Sequence, residues 1–146
     1  MKIQVILIVL CVITICILPS CRPTHSEKEI SDQMAKYDRL LESMNTDSIA
    51  DLYAENGHLG NVATGRDAIN RFLKTFSTYR VILNNSTTDS IKMFGDSAVQ
   101  VGKYTQVTIL PDRDTVHLAG HFQAIWKLAG LNGWKIYRME TTPTTK

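Results

Sequence analysis

The sequence predicts an α+β fold in which a curved antiparallel sheet wraps around N-terminal helices, and three features predict it. Apolar residues recur at helical spacing as far as Phe76, alternation of period two takes over from about Tyr79, and turn residues divide that second half into four strands. The clearest strand is Thr115–Leu128, whose even positions Val116, Leu118, Gly120, Phe122, Ala124, Trp126 and Leu128 are all apolar. Its odd positions carry Thr115, His117, His121, Gln123 and Lys127. One face of this strand is therefore expected to be buried.

With 146 residues, 44% hydrophobic and 21% charged, the chain has material for one globular domain. The first stretch stands apart, because Lys2 precedes an apolar run over residues 5–18 broken only by Thr14. The run is shorter than the ~20 residues a bilayer span requires and fits the apolar centre of a secretory signal peptide. Leu18-Pro19-Ser20-Cys21 follows, and resembles the lipobox of bacterial lipoproteins, which are cut before a cysteine that carries a diacylglyceryl group; an uncleaved signal anchor is the alternative and a soluble secreted form the third reading. Cys11 and Cys16 would leave with the peptide, so Cys21 alone remains and its lipidation accounts for it. Without Lys2, basic and acidic residues differ by one, and no basic stripe is present. Nucleic acid is not an expected partner, and membrane attachment is expected through the lipid on Cys21 rather than through charge. The expected division is a signal peptide over 1–20, a tether over 21–27, a domain over 28–142 and a tail over 143–146, with the mature chain in the bacterial cell envelope.

Ser26 is placed to cap the first helix, with Glu27 and Glu29 in its first turn. Ile30, Met34, Tyr37, Leu41 and Met44 form its apolar stripe, which Leu40 widens. After Asn45 a second helix is capped by Thr46 or Asp47, carries Ile49, Leu52 and Tyr53, and is expected to stop at Asn56-Gly57. A brief strand over 58–62 and a third helix with Ile69, Phe72, Leu73 and Phe76 follow. Opposing apolar residues to apolar residues then sets three hairpin registers. Met93 pairs with Val99 and Ile91 with Val101. Val101 pairs with Ala124 and Val99 with Trp126. Trp134 pairs with Leu128 and Ile136 with Trp126.

The order of elements is that of the nuclear transport factor 2-like superfamily, and five local pieces resemble its SnoaL-like branch. They are residues 51–57 (Asp-Leu-Tyr-Ala-Glu-Asn-Gly), Gly65-Arg66-Asp67-Ala68-Ile69 with Phe72, Gly95-Asp96-Ser97-Ala98 with Gly102 and Tyr104, Gly120-His121-Phe122 with Trp126, and Asn132-Gly133-Trp134-Lys135-Ile136. The resemblance implies a cone with an apolar pocket open at one end and frequent dimerisation through the outer face of the sheet. Its members include isomerases, dehydratases, cyclases and domains that only bind, so the fold leaves function open.

The registers above place Asp89, Lys103, Phe122 and Glu140 in one row of the inner face, with Arg138 opposite Ala124. Charged groups on an apolar wall concentrate where a pocket opens. The expected pocket thus has a polar end of Asp89, Lys103, Arg138 and Glu140 and an apolar wall of Phe122, Trp126, Trp134 and Ile136; the resemblance adds Asn61 on the short strand and Tyr37, whose hydroxyl would donate into the pocket, a core tyrosine being the plainer reading of Tyr37. Ordinary salt bridges at the rim, or a bulge near Gly102 that turns Lys103 outward, are the plainer alternative. Enzymes of the superfamily that resemble ketosteroid isomerase carry a carboxylate base on the short strand, at a place that aligns with Asn61, and an amide is no base at neutral pH. The catalytic residues are therefore left unassigned. His117 and His121 share a face but lie roughly 13 Å apart along the strand, too far for one ion. By alternation they point outward, and Tyr104 and Gln106 are expected beside them. No metal or cofactor is expected. The leading expectation is a lipid-anchored domain that binds a small, partly apolar ligand or a protein partner without catalysis; the alternative is a small-molecule isomerase, dehydratase or hydrolase that uses Asp89 or Glu140.

Overall fold

The structure, a computed structural model, describes residues 25–144. The expected signal peptide, Cys21, most of the tether and the last two residues of the tail lie outside the described residues. Helix α1 (Glu27–Glu42) starts in a capping box: the Ser26 hydroxyl meets the Glu29 amide while the Glu29 carboxylate accepts from the Ser26 amide. It ends in a left-handed residue, Met44, with Met44 N–H donating to Leu41 and Asn45 N–H to Leu40. That pair of bonds is a Schellman motif. Ile30 and Met34 are buried from this helix, and Tyr37, Leu40 and Leu41 pack against the core.

Helix α2 (Thr46–Asp51) is capped by Asn45 and not, as expected, by Thr46 or Asp47, which lie in its first turn; the Asn45 side chain accepts from the Ser48 amide. It is shorter than the spacing suggested. Tyr53 opens β1 (Tyr53–Leu59) instead of continuing the helix, and the Ile136 amide donates to the Leu52 carbonyl at 2.8 Å. Strand pairing and full burial of Tyr53 outweigh one more helical turn. β1 thus covers ground given to the helix, and the chain turns away at Gly60, whose φ is +50°. β2 (Ala63–Thr64) pairs back on β1, and α3 (Arg66–Lys74) buries Ile69 and Leu73. Asp47 ties α2 to α3 by accepting from Asn70 at 2.6 Å and Lys74 at 3.0 Å.

The four long strands are β3 (Arg80–Met93), β4 (Ser97–Ile109), β5 (Thr115–Leu128) and β6 (Trp134–Pro143). The sheet runs β2-β1-β6-β5-β4-β3, with β1 parallel to β6 and every other pairing antiparallel. Helix α1 packs on β3 and β6, so the sheet curves around it. β5 has the predicted extent and phase: Gly120, Phe122, Ala124 and Trp126 are buried, and Thr115, His117, His121, Gln123 and Lys127 are exposed.

β4 has the opposite phase from the prediction. Val99 faces Ile125 and Lys92, and Val101 faces Gln123 and Ser90, one residue from the expected register in both hairpins. The expected row of Asp89, Lys103, Phe122 and Glu140 does not form. The row that does form across the inner face is Thr88, Gly102, Phe122 and Thr141. The β5–β6 hairpin starts in the predicted register, Trp134 with Leu128 and Ile136 with Trp126, but a bulge at Tyr137 then advances it by one residue. Met139 therefore lies opposite Ala124, where Arg138 was expected.

Candidate functional site

Two glycines shape the concave face. Gly102 pairs with Phe122 and Gly120 with Tyr104, and in each pair the aromatic ring lies over the glycine of the next strand. A β-carbon at 102 would stand 2.7 Å from Phe122 Cε1, and one at 120 would stand 2.8 Å from Tyr104 Cε1. Both rings lie flat only because no side chain holds them off. Towards the narrow end, Gln100 is fully buried and satisfied: it accepts from Trp126 Nε1 at 3.0 Å and donates to Thr88 Oγ1 at 2.8 Å.

Above this layer a cavity of about 230 Å³ opens between α1 and the sheet. Met34, Leu41, Leu59, Leu118, Phe122 and Met139 give it an apolar wall. Tyr37, Asn84, Ser86, Tyr104, Gln106 and Thr141 give it polar groups. Among the described residues, the lining holds no carboxylate, histidine or cationic side chain. The Tyr37 and Tyr53 hydroxyls meet at 3.5 Å, and the ring of Tyr104 reaches towards Thr141. Burial raises the phenol of Tyr37 above its ordinary range, with the nearby Asp38 charge adding to the effect, and burial raises Tyr53 further and Tyr104 as well. All three remain neutral hydroxyls at physiological pH.

Behind the polar side stands Asp38. Its Oδ1 accepts from Asn84 Nδ2 at 2.7 Å and from Ser86 Oγ at 2.8 Å, and its Oδ2 accepts from the Ser86 amide at 3.0 Å. Glu42, one turn on, accepts from the Asn84 amide at 3.0 Å. β3 is an edge strand, and these two carboxylates take the N–H groups that no strand satisfies. Burial lifts the Asp38 carboxyl above its ordinary range, opposed by the bonds from Ser86 and Asn84 and reinforced by the charge of Glu42. Asp38 escaped the sequence reading because a lone acid on an amphipathic helix resembles a solvated face. The available signal was its position four residues after buried Met34, at the border of the apolar stripe.

The predicted site residues divide. Tyr37 and Phe122 line the cavity. Trp126 and Ile136 are fully buried in the core, and Trp134 is buried with its Nε1 donating to Glu29 at 2.8 Å, so all three lie in the filled end rather than the cavity wall. Lys103 is exposed opposite His121, and Asp89 is exposed at a bulge in β3. Arg138 and Glu140 pair with each other at 2.7 Å; Glu140 lies opposite exposed Gln123, on the outer face. Asn61 sits in the turn after β1, beside an open groove shared with Glu140, and the β1 residue that lines the cavity is Leu59. Tyr104 and Gln106, expected outside, line the cavity because β4 is reversed in phase.

A sheet wrapped on a long first helix, with the cavity between them, defines the nuclear transport factor 2-like class. The chain belongs to the SnoaL-like domain family, whose profile matches residues 22–140. Solved structures agree on the fold. A ketosteroid isomerase-like protein from Erwinia carotovora atroseptica superposes with a TM-score of 0.72 at 13% identity, covering 82% of this chain and 96% of its own. A nuclear transport factor 2-like superfamily protein from Salmonella enterica gives 0.68 at 18% identity, covering 82% and 91%. A protein of unknown function from Mycobacterium tuberculosis gives 0.70 at 15% identity, covering 81% and 71%. A comparison with curated proteins finds no match.

Proposed function

We propose that this SnoaL-like domain is exported to the bacterial cell envelope, anchored there by a lipid on Cys21, and holds a small, neutral, partly apolar ligand in the cavity without chemistry of its own. One observation carries the reading: an open cavity of about 230 Å³ has both apolar walls and convergent hydrogen-bonding groups, yet no ionised side chain among the described residues lines it. The volume lies below the roughly 300–1,000 Å³ of pockets that hold drug-sized molecules, which suits a ligand built on a single ring. The carboxylates first considered as bases do not reach it: Glu140 is paired with Arg138, and Asp89 is exposed at the sheet edge. A homodimer through the outer face is part of the same proposal. Val99, Val101, Val107 and Ile125 are half-buried on that face beside exposed His117, His121 and Gln123, apolar area that supports the pairing.

The rival is an isomerase or dehydratase, the direction in which the ketosteroid isomerase-like neighbour points. Its remaining candidate base is Asp38, a half-buried carboxylate held against the cavity-lining Asn84 and Ser86, but both of its oxygens are already engaged by them. Native mass spectrometry of the protein purified from its own envelope tests the proposal. An added mass that is recovered chemically unchanged is expected. A captured compound that the protein converts to an isomer or a dehydrated product would overturn the non-catalytic reading.

A further inference from the structure

We infer that Asp38 sets the hydrogen-bonding polarity of the cavity, turning Asn84 and Ser86 so that they offer acceptors, and that the ligand therefore carries hydroxyl or amine donors. The inference rests on the proposal that this cavity binds a ligand, and it specifies that ligand's chemistry.

A carboxylate only accepts hydrogen bonds. Its contact at 2.7 Å with the Asn84 side chain fixes the amide nitrogen on the Asp38 side, and so directs the carbonyl oxygen of Asn84 away from it. Asn84 is buried and lines the cavity, and among the described residues its carbonyl oxygen accepts from no protein group. The Ser86 hydroxyl is likewise committed as a donor to Asp38 at 2.8 Å, which leaves its lone pairs for the cavity. Two acceptors thus stand on adjacent inner positions of β3, with an acid behind them and no cationic group in the lining. A ligand whose oxygens only accept would leave both unpaired and desolvated, a loss that buried polar groups make large. An anionic ligand would also meet the charge of Asp38. The ligand class is a neutral, ring-sized compound with at least one O–H or N–H donor.

The same geometry makes the effect reversible. In Asp38→Asn the new amide keeps its oxygen towards the Ser86 amide and places its NH2 where Oδ1 stood, opposite Asn84. Asn84 then pairs by turning over, which brings its own NH2 into the cavity.

The test uses calorimetric titration of the full chain in detergent, with empty-micelle blanks, and two probes on one ring: resorcinol, whose hydroxyls donate, and 1,3-dimethoxybenzene, whose oxygens only accept. Wild type is expected to prefer resorcinol by about tenfold or more, the loss from one unpaired buried acceptor. Asp38→Asn is expected to abolish or reverse that preference, which a merely structural role of Asp38 would not do. Equal binding of the two probes by wild type would overturn the inference while leaving ligand binding intact. Retention of the wild-type preference by folded Asp38→Asn would remove Asp38 as the positioning residue. Failure of both probes to bind wild type would count against the cavity reading itself, and the inference would fall with it. If Asp38→Asn does not fold, Ser86→Ala, which removes one of the two acceptors that Asp38 holds, is expected to lower the resorcinol preference, and an unchanged ratio would overturn the inference.

Discussion

The ring of Phe122 lies across Gly102 of the neighbouring strand, with Cε1 2.7 Å from the point where a β-carbon would stand. The relationship is what flattens the floor of the cavity. A methyl at 102 would also press on the Thr87 carbonyl, which is backbone and has little freedom to move. Gly102→Ala is expected to cost at least about 1–3 kcal/mol in urea unfolding, as overpacked cores do. An unchanged midpoint would mean that the sheet has room for a methyl at 102 and that Phe122 is not packed against the glycine.

Gln100 serves two partners, and the cycle through them is informative. Gln100→Leu leaves Trp126 Nε1 buried without its acceptor and is expected to destabilise by about 1–3 kcal/mol. Adding Trp126→Phe removes the orphaned donor. The double variant is expected to lose less than the sum of the single ones. Strict additivity in denaturant unfolding would contradict the pairing.

Glu29 joins the start of α1 to β6, accepting from the Ser26 amide on Oε1 and from Trp134 Nε1 on Oε2. The bonds from His25 and Trp134 hold its carboxyl below the ordinary range. A depressed folded-state value contributes stability that is present above the unfolded value, about 4.3, and is lost as pH falls through the folded one. Glu29→Gln offers one acceptor in place of two. Its melting temperature is expected below that of wild type at pH 7, with the gap closing below about pH 4. A gap that stays constant across that window would exclude the carboxylate as its source.

Export and anchoring have a direct readout in the mature N-terminus. Radiolabelled fatty acid is expected to enter the wild-type protein and not Cys21→Ala, which is also expected to leave the membrane fraction. Membrane protein that retains Met1 and takes up no label would make the apolar run an uncleaved anchor instead.

What the sequence disclosed and what it concealed differ by strand. β5 was legible because its apolar residues fall on the face that is buried, and the three helices were legible from their apolar stripes, but of their caps only Ser26 was, since Asn45 rather than Thr46 or Asp47 caps α2 and that helix ends before Tyr53. β4 misled because its valines lie on the outer face, while Gln100, Gly102, Tyr104 and Gln106 lie inside. Pairing apolar with apolar then slips the register by one residue and turns every side chain over. The bulge at Tyr137 has no local sequence mark, and it is this bulge that moves Arg138 and Glu140 from the inner face. The polar side of the cavity was hidden for another reason. Asp38, Asn84 and Ser86 are unremarkable singly and acquire meaning only when α1 is laid on the free edge of β3.

Amide chemical shifts of the full chain during titration with resorcinol show whether the cavity between α1 and the sheet receives a small neutral ligand. Saturable shifts are predicted at Tyr37, Asn84, Ser86, Tyr104 and Phe122, with His117 and His121 on the outer face unmoved. Shifts confined to the outer face, or none at saturation of the probe's solubility, would contradict such binding.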